Sequence, residues 1–123
     1  MLCAKPSYGQ AIDSVDVERI GNEAEITIRF ITQIQYLRHA PTDSGKSLRI
    51  YLRLTGPGIQ ESDLIVPGTT RLPKTAYLAQ FSVTFPESDR ALLIAFDQST
   101  RYIVRPKPDG RSIGIRVPVL PGS

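Results

Sequence analysis

One cysteine, one histidine and no tryptophan occur in the 123 residues. With Cys3 and His39 as the sole thiol and imidazole, a Cys/His metal cage and an internal disulfide are both excluded, and Cys3 with His39 is the only possible Cys–His pair. Charge of one sign is also scarce. Fifteen Lys and Arg stand against twelve Asp and Glu, for a net +3, too small a surplus to mark a nucleic-acid surface. No apolar run is long enough for a membrane-spanning helix, and none of the segments shows a helical stripe. At 41% hydrophobic and 22% charged the composition is that of an ordinary folded domain rather than a disordered chain. The length allows one such domain.

Catalytic equipment is missing as well. His39 sits in Leu-Arg-His-Ala-Pro before a turn, with no motif partner that would make it a general base, and reads as a surface residue. Asp16, Glu18, Glu23 and Glu25 alternate with apolar residues, the pattern of a solvated strand face. Asp43 and Asp109 fall in turns, where Asp bonds its own backbone. Gly56-Pro57-Gly58 lacks the Lys-Ser/Thr of a phosphate loop. We therefore expect no enzyme, no metal and no cofactor.

What is present is a repeat. Displaced by 66 residues, Val15, Val17, Glu23, Ile26, Ile28, Phe30, Tyr36 and Leu37 fall on Phe81, Val83, Asp89, Leu92, Ile94, Phe96, Tyr102 and Ile103. After a one-residue gap, Gly45-Lys46-Ser47-Leu48-Arg49-Ile50 falls on Gly110-Arg111-Ser112-Ile113-Gly114-Ile115. Four segments matching in order point to an internal duplication. Each copy alternates apolar and polar residues with the period of a half-buried strand. Strands are expected near 13–19, 24–31, 34–38, 47–54, 79–85, 90–97, 101–105 and 112–117. Asp109-Gly110 signals a tight hairpin. Two four-stranded halves, each apolar on one face, satisfy each other by packing face to face. The expectation is an all-β sandwich, pseudo-twofold symmetric, over residues 12–118, with repeat 1 at about 13–54, a connector at 55–78 and repeat 2 at about 79–118. The connector opens on Thr-Gly-Pro-Gly, a breaker, and its Ile59, Leu64, Ile65, Val66 and Leu72 suggest a loop covering a core edge.

The flanks read differently. Residues 1–11 combine a short apolar start, a Pro-Ser stretch and the small Ala11, as in the tail of a secretory signal; a lipidated Cys3 and a disordered leader are the rival readings. Residues 119–123 look like the start of a linker to a further domain. An exported chain without cysteine after its leader suits a bacterial periplasm.

Three surface features are candidates for binding. Basic residues recur at matched positions near the turns, His39 with Arg105 and Lys46 with Arg111, and would meet carboxylates or an anionic polymer; equally, they protect turns and strand edges from mispairing. Arg49, Tyr51 and Arg53 form an outward strip, with Arg116 matching Tyr51; this is interface chemistry or ordinary pairing with acidic neighbours such as Glu25. Ala91 to Phe96 is apolar on both faces, so Ala91, Leu93 and Ala95 lie either under the connector or in a protein contact patch centred on Leu93.

Val15-Asp-Val-Glu, Ala24-Glu-Ile-Thr-Ile-Arg-Phe, Ser47-Leu-Arg-Ile-Tyr-Leu-Arg-Leu-Thr-Gly and Tyr102-Ile-Val-Arg-Pro, with the duplication and inferred export, make residues 12–118 resemble the AMIN domain of bacterial cell-envelope proteins such as wall amidases and pilus secretins. The resemblance implies a sandwich of two symmetric sheets and a non-catalytic role. The domain would localise a larger envelope protein by binding peptidoglycan, or serve as a protein–protein or dimerisation module of an envelope assembly. The family often carries an acidic residue late in the strand matching 47–54, where this chain has Arg53, so a binding mode using that acid does not carry over.

Overall fold

A computed structural model describes residues 12–55, 68–87 and 91–120. The expected segments at 1–11 and most of the connector, including Ile59, Leu64, Ile65 and Val66, lie outside these. Among the described residues there is no helix. The chain forms β1 (Ile12–Ile20), β2 (Glu23–Phe30), β3 (Ile34–Ala40), β4 (Ser44–Leu54), β5 (Gly68–Leu72), β6 (Phe81–Glu87), β7 (Ala91–Arg101), β8 (Ile103–Pro106) and β9 (Ser112–Pro118). They build two antiparallel sheets, one of four strands in the order β1-β2-β9-β8 and one of five in the order β3-β4-β7-β6-β5. The inward rows meet in one core. Ile26, Ile28, Phe30, Ile113 and Ile115 from the first sheet and Leu48, Ile50, Leu92 and Ile94 from the second are fully buried, as period-2 alternation requires of one face. Phe30 reaches across to Phe85 edge-on at 5.3 Å, and Phe96 stacks on Tyr102 at 6.1 Å.

The all-β sandwich expected from the sequence is what the chain forms, but a repeat does not make a sheet. Each repeat gives its first hairpin to one sheet and its second to the other. The duplication maps β1, β2, β3, β4 onto β6, β7, β8, β9, and under that map the order β1-β2-β9-β8 becomes β6-β7-β4-β3, the core of the five-stranded sheet read backwards. Register follows the same map. Ile26 and Ile28 face Ile115 and Ile113, while Leu92 and Ile94 face Ile50 and Leu48. Alternation specifies which face a residue takes, not which strand lies beside it, so both arrangements fit the sequence equally. The crossings between sheets are reciprocally braced. Ile34 N donates to Gly110 O at 2.8 Å, in the β8–β9 turn, and Tyr102 N donates to Asp43 O at 2.9 Å, in the β3–β4 turn.

Other details differ. Leu72, expected to lie in a covering loop, is on the edge strand β5, which pairs with β6 and packs Leu72 against the core; the two threonines of Gly-Thr-Thr-Arg-Leu are the β-branched signal for it. In the outer hairpins, Val15 faces Ile28 whereas Val83 faces Ile94, so Val83, rather than Phe81, is the counterpart of Val15. His39 and Val104 face Ile50 and Ile115, so Val104, not Arg105, corresponds to His39; a bulge between Tyr36 and Arg38 absorbs the residue that the sequence match places later. His39 is half-buried, its Nδ1 bonded with the Tyr36 hydroxyl and its Nε2 with Thr42 O at 2.9 Å, a bracing role within the β3–β4 hairpin. Val119 and Leu120, read as the start of a linker, donate from their backbone N–H groups to Asn22 O and Tyr77 O.

Candidate functional site

The outer faces of the two sheets carry the candidate residues, and the exchange of hairpins decides their company. In the four-stranded sheet, β1 and β2 bring Asp13, Asp16, Glu18, Glu23 and Glu25 beside β9 and β8, which bring Arg116 and Arg105. Glu25 lies directly opposite Arg116. Its Oε2 accepts from Arg116 Nε at 3.3 Å, its Oε1 from Lys107 Nζ at 2.7 Å, and Arg116 also reaches Glu23 at 3.5 Å. The hydrogen bond from Lys107 holds the Glu25 carboxyl below its ordinary range; burial opposes this and Arg116 reinforces it. Glu25 was expected on a solvated face, and its side chain is only 14% exposed. Arg116 therefore pairs with acidic neighbours.

The five-stranded sheet is the opposite case. β3 and β4 carry Arg38, Lys46, Arg49 and Arg53 and no carboxylate. Arg49, Tyr51 and Arg53 share its outer face, as expected, at about 6.7 Å per two residues along the strand. Across β7 their neighbours are uncharged, with Ala91 opposite Tyr51 and Leu93 opposite Arg49. The bulge in β3 turns Arg38 to the same face, opposite Tyr51, where its guanidinium lies 4.1 Å from the ring centre, a cation–π stack. Arg53 is exposed and faces Gln35. Lys46 is exposed at a second bulge, between Gly45 and Ser47.

The seven basic and aromatic candidates thus do not form one site. Arg49, Tyr51, Arg53 and Lys46 belong to the five-stranded sheet; Arg105 and Arg116 belong to the other. Arg111 sits in the β8–β9 turn and donates from Nη2 to Ile31 O at 2.7 Å, where it braces a sheet crossing. The same turn is fixed by Asp109, whose Oδ1 accepts from the Arg111 and Ser112 amides and whose Oδ2 accepts from Ser112 Oγ. Burial works to raise its carboxyl pKa, but these bonds hold it below the ordinary range. Leu93 is half-buried between Arg49 and Thr84, and Ala91 is fully buried; the connector proposed to cover them lies largely outside the described residues.

Two participants were not legible from the sequence. Arg38 reaches the outer face through a bulge that no pattern announces. Lys107 had a signal, Gly114 in the interior of β9, since a strand glycine often marks a close approach. A Cβ at 114 would lie 2.8 Å from Lys107 Cε.

No helix among the described residues is long and apolar enough to cross a membrane. Comparisons with protein-family models, with curated proteins and with solved structures found no match for the chain.

Proposed function

We propose that this chain is a non-catalytic periplasmic binding domain that localises a larger envelope protein on peptidoglycan. The observation that carries the reading is the outer face of strands β3 and β4, which has the Arg38–Tyr51 stack and exposed Arg53 and no carboxylate from either strand. Guanidinium groups bind carboxylates with two parallel hydrogen bonds, and a sheet face with an aromatic residue suits an extended polymer bearing peptide carboxylates. Contacts of this kind are individually weak and gain strength by repetition along the polymer. The resemblance to the AMIN domain supports the same reading.

Co-sedimentation of the 123-residue chain with purified peptidoglycan at low and moderate salt tests it. The expected result is pelleting that weakens as salt rises and is lost in the Tyr51→Ala/Arg53→Ala double variant. Pelleting unaffected by that variant, or absent at low salt, overturns the proposal.

A further inference from the structure

Gly114 opens a cavity of about 320 Å³ on the outer face of the four-stranded sheet, away from the Arg38–Tyr51 face. Its walls include Ile103, Arg105, Pro106, Lys107 and Arg116, with Glu25 at one side. The duplication shows what is special about it. Gly114 occupies the place of Arg49, and Ile103 that of Arg38, because Gly114 and Arg105 pair as Arg49 and Ala40 do, and Ile103 faces Arg116 as Arg38 faces Tyr51. Large side chains cover this position on one sheet. On the other it is left open, with the ends of Lys107 and Glu25 lying over the glycine.

We propose that this cavity binds a carboxylate attached to an apolar body, the chemistry of a peptide C-terminus ending in an aliphatic residue. Three cationic side chains line it, against the two carboxylates of Glu23 and Glu25. Both oxygens of Glu25 already accept, one from Lys107 and one from Arg116, which fixes those two cations in place. Arg105 is exposed and has no ion-pair partner among the described residues. A guanidinium carries five N–H donors and an ammonium three, so donors exceed acceptors around the cavity and an incoming carboxylate meets a preset group of them. Ile103, 50% exposed, and Pro106 supply an apolar wall for the rest of the ligand. The volume is at the lower end of small-molecule sites, enough for one terminal residue and not for a long chain.

The test is amide chemical-shift titration of the full chain with N-acetylleucine, with N-acetylleucinamide as the uncharged control. Saturable shifts at Ile103, Gly114 and Arg116 are expected for the acid, with a Kd on the order of 1 mM. Binding at least tenfold weaker is expected for the amide and for Arg105→Ala, an exposed substitution that leaves the core intact. Gly114→Ala, which displaces Lys107, should weaken binding similarly, but Arg105→Ala decides the matter if that variant folds poorly. Equal response to acid and amide, no saturable shift, or undiminished binding by Arg105→Ala overturns the inference. Peptidoglycan pelleting through Tyr51 and Arg53 depends on the opposite face, so either proposal can fail alone.

Discussion

The two sheets are built from equivalent hairpins and share equivalent inner rows, yet their outer faces have diverged in opposite directions. On the four-stranded sheet an acidic hairpin, β1–β2, lies beside strands carrying cations, and Glu25 joins Lys107 and Arg116 across three segments of chain. On the five-stranded sheet a basic hairpin, β3–β4, lies beside Ala91, Leu93 and Ala95. At the position where one sheet has Glu25 facing Arg116, the other has Ala91 facing Tyr51. Folding constrains the inner rows of both copies alike, because both must fill one core. The outer rows escape that constraint, and one has settled into a Glu25-centred charge cluster while the other stacks Arg38 on Tyr51 and leaves Arg53 exposed.

Substitutions on the two sheets test this divergence, and the largest effect is expected where the copies agree. Ile28→Ala and Ile94→Ala remove equivalent fully buried side chains, and each should cost about 3 kcal/mol. Urea denaturation should give similar losses for the two; a loss at one site only would show that the core is not shared as described.

The next largest effect concerns Glu25. Glu25→Ala leaves Lys107 without its acceptor and Arg116 with Glu23 alone, and should cost about 1 kcal/mol. The pH dependence has a definite sign. The native carboxyl is held below its ordinary value of 4.5, so its contribution is complete above that value and is lost as pH falls through the lowered native one. Wild type should thus be more stable than Glu25→Gln at neutral pH, and the gap should close in acid. A gap that widens on acidification would contradict the pairing.

The smallest stability effect is expected from Arg53→Ala, within about 0.5 kcal/mol, because its exposed side chain holds nothing in the fold. Its effect should appear in polymer binding instead. Leu93→Glu, which places a carboxylate on the outer face of the five-stranded sheet, should likewise reduce pelleting with peptidoglycan by repelling the polymer's carboxylates. Undiminished pelleting of Leu93→Glu would separate binding from the charge of this face.

Much of the fold was legible because alternation is a direct readout of burial. Ile26, Ile28 and Phe30, or Phe81, Val83 and Phe85, announce their face two residues at a time, and Asp109-Gly110 announces its turn. Strand partnership was not legible. Glu25 and Arg116 are 91 residues apart, and nothing local says that β2 lies beside β9 rather than beside the second hairpin of its own repeat. The same limit divided the candidate site. Arg49, Tyr51 and Arg53 were found together because they share one strand, whereas Arg116 was grouped with them through the repeat although it lies on the other sheet. Arg38 required knowledge of a bulge. Lys107 was foreshadowed only by the missing side chain of Gly114.

If peptidoglycan is held by the five-stranded sheet rather than the four-stranded one, the two outer faces should respond differently to charge reversal. The most direct measurement compares two double charge reversals of equal size in peptidoglycan co-sedimentation at low salt, Arg38→Glu/Arg53→Glu on one face and Arg29→Glu/Arg105→Glu on the other, where Arg29 is an exposed residue of β2 beside Asp13. The account predicts that the first abolishes pelleting and the second leaves most of it. Equal loss in both would mean that only net charge matters, and loss in the second alone would place the binding face on the wrong sheet.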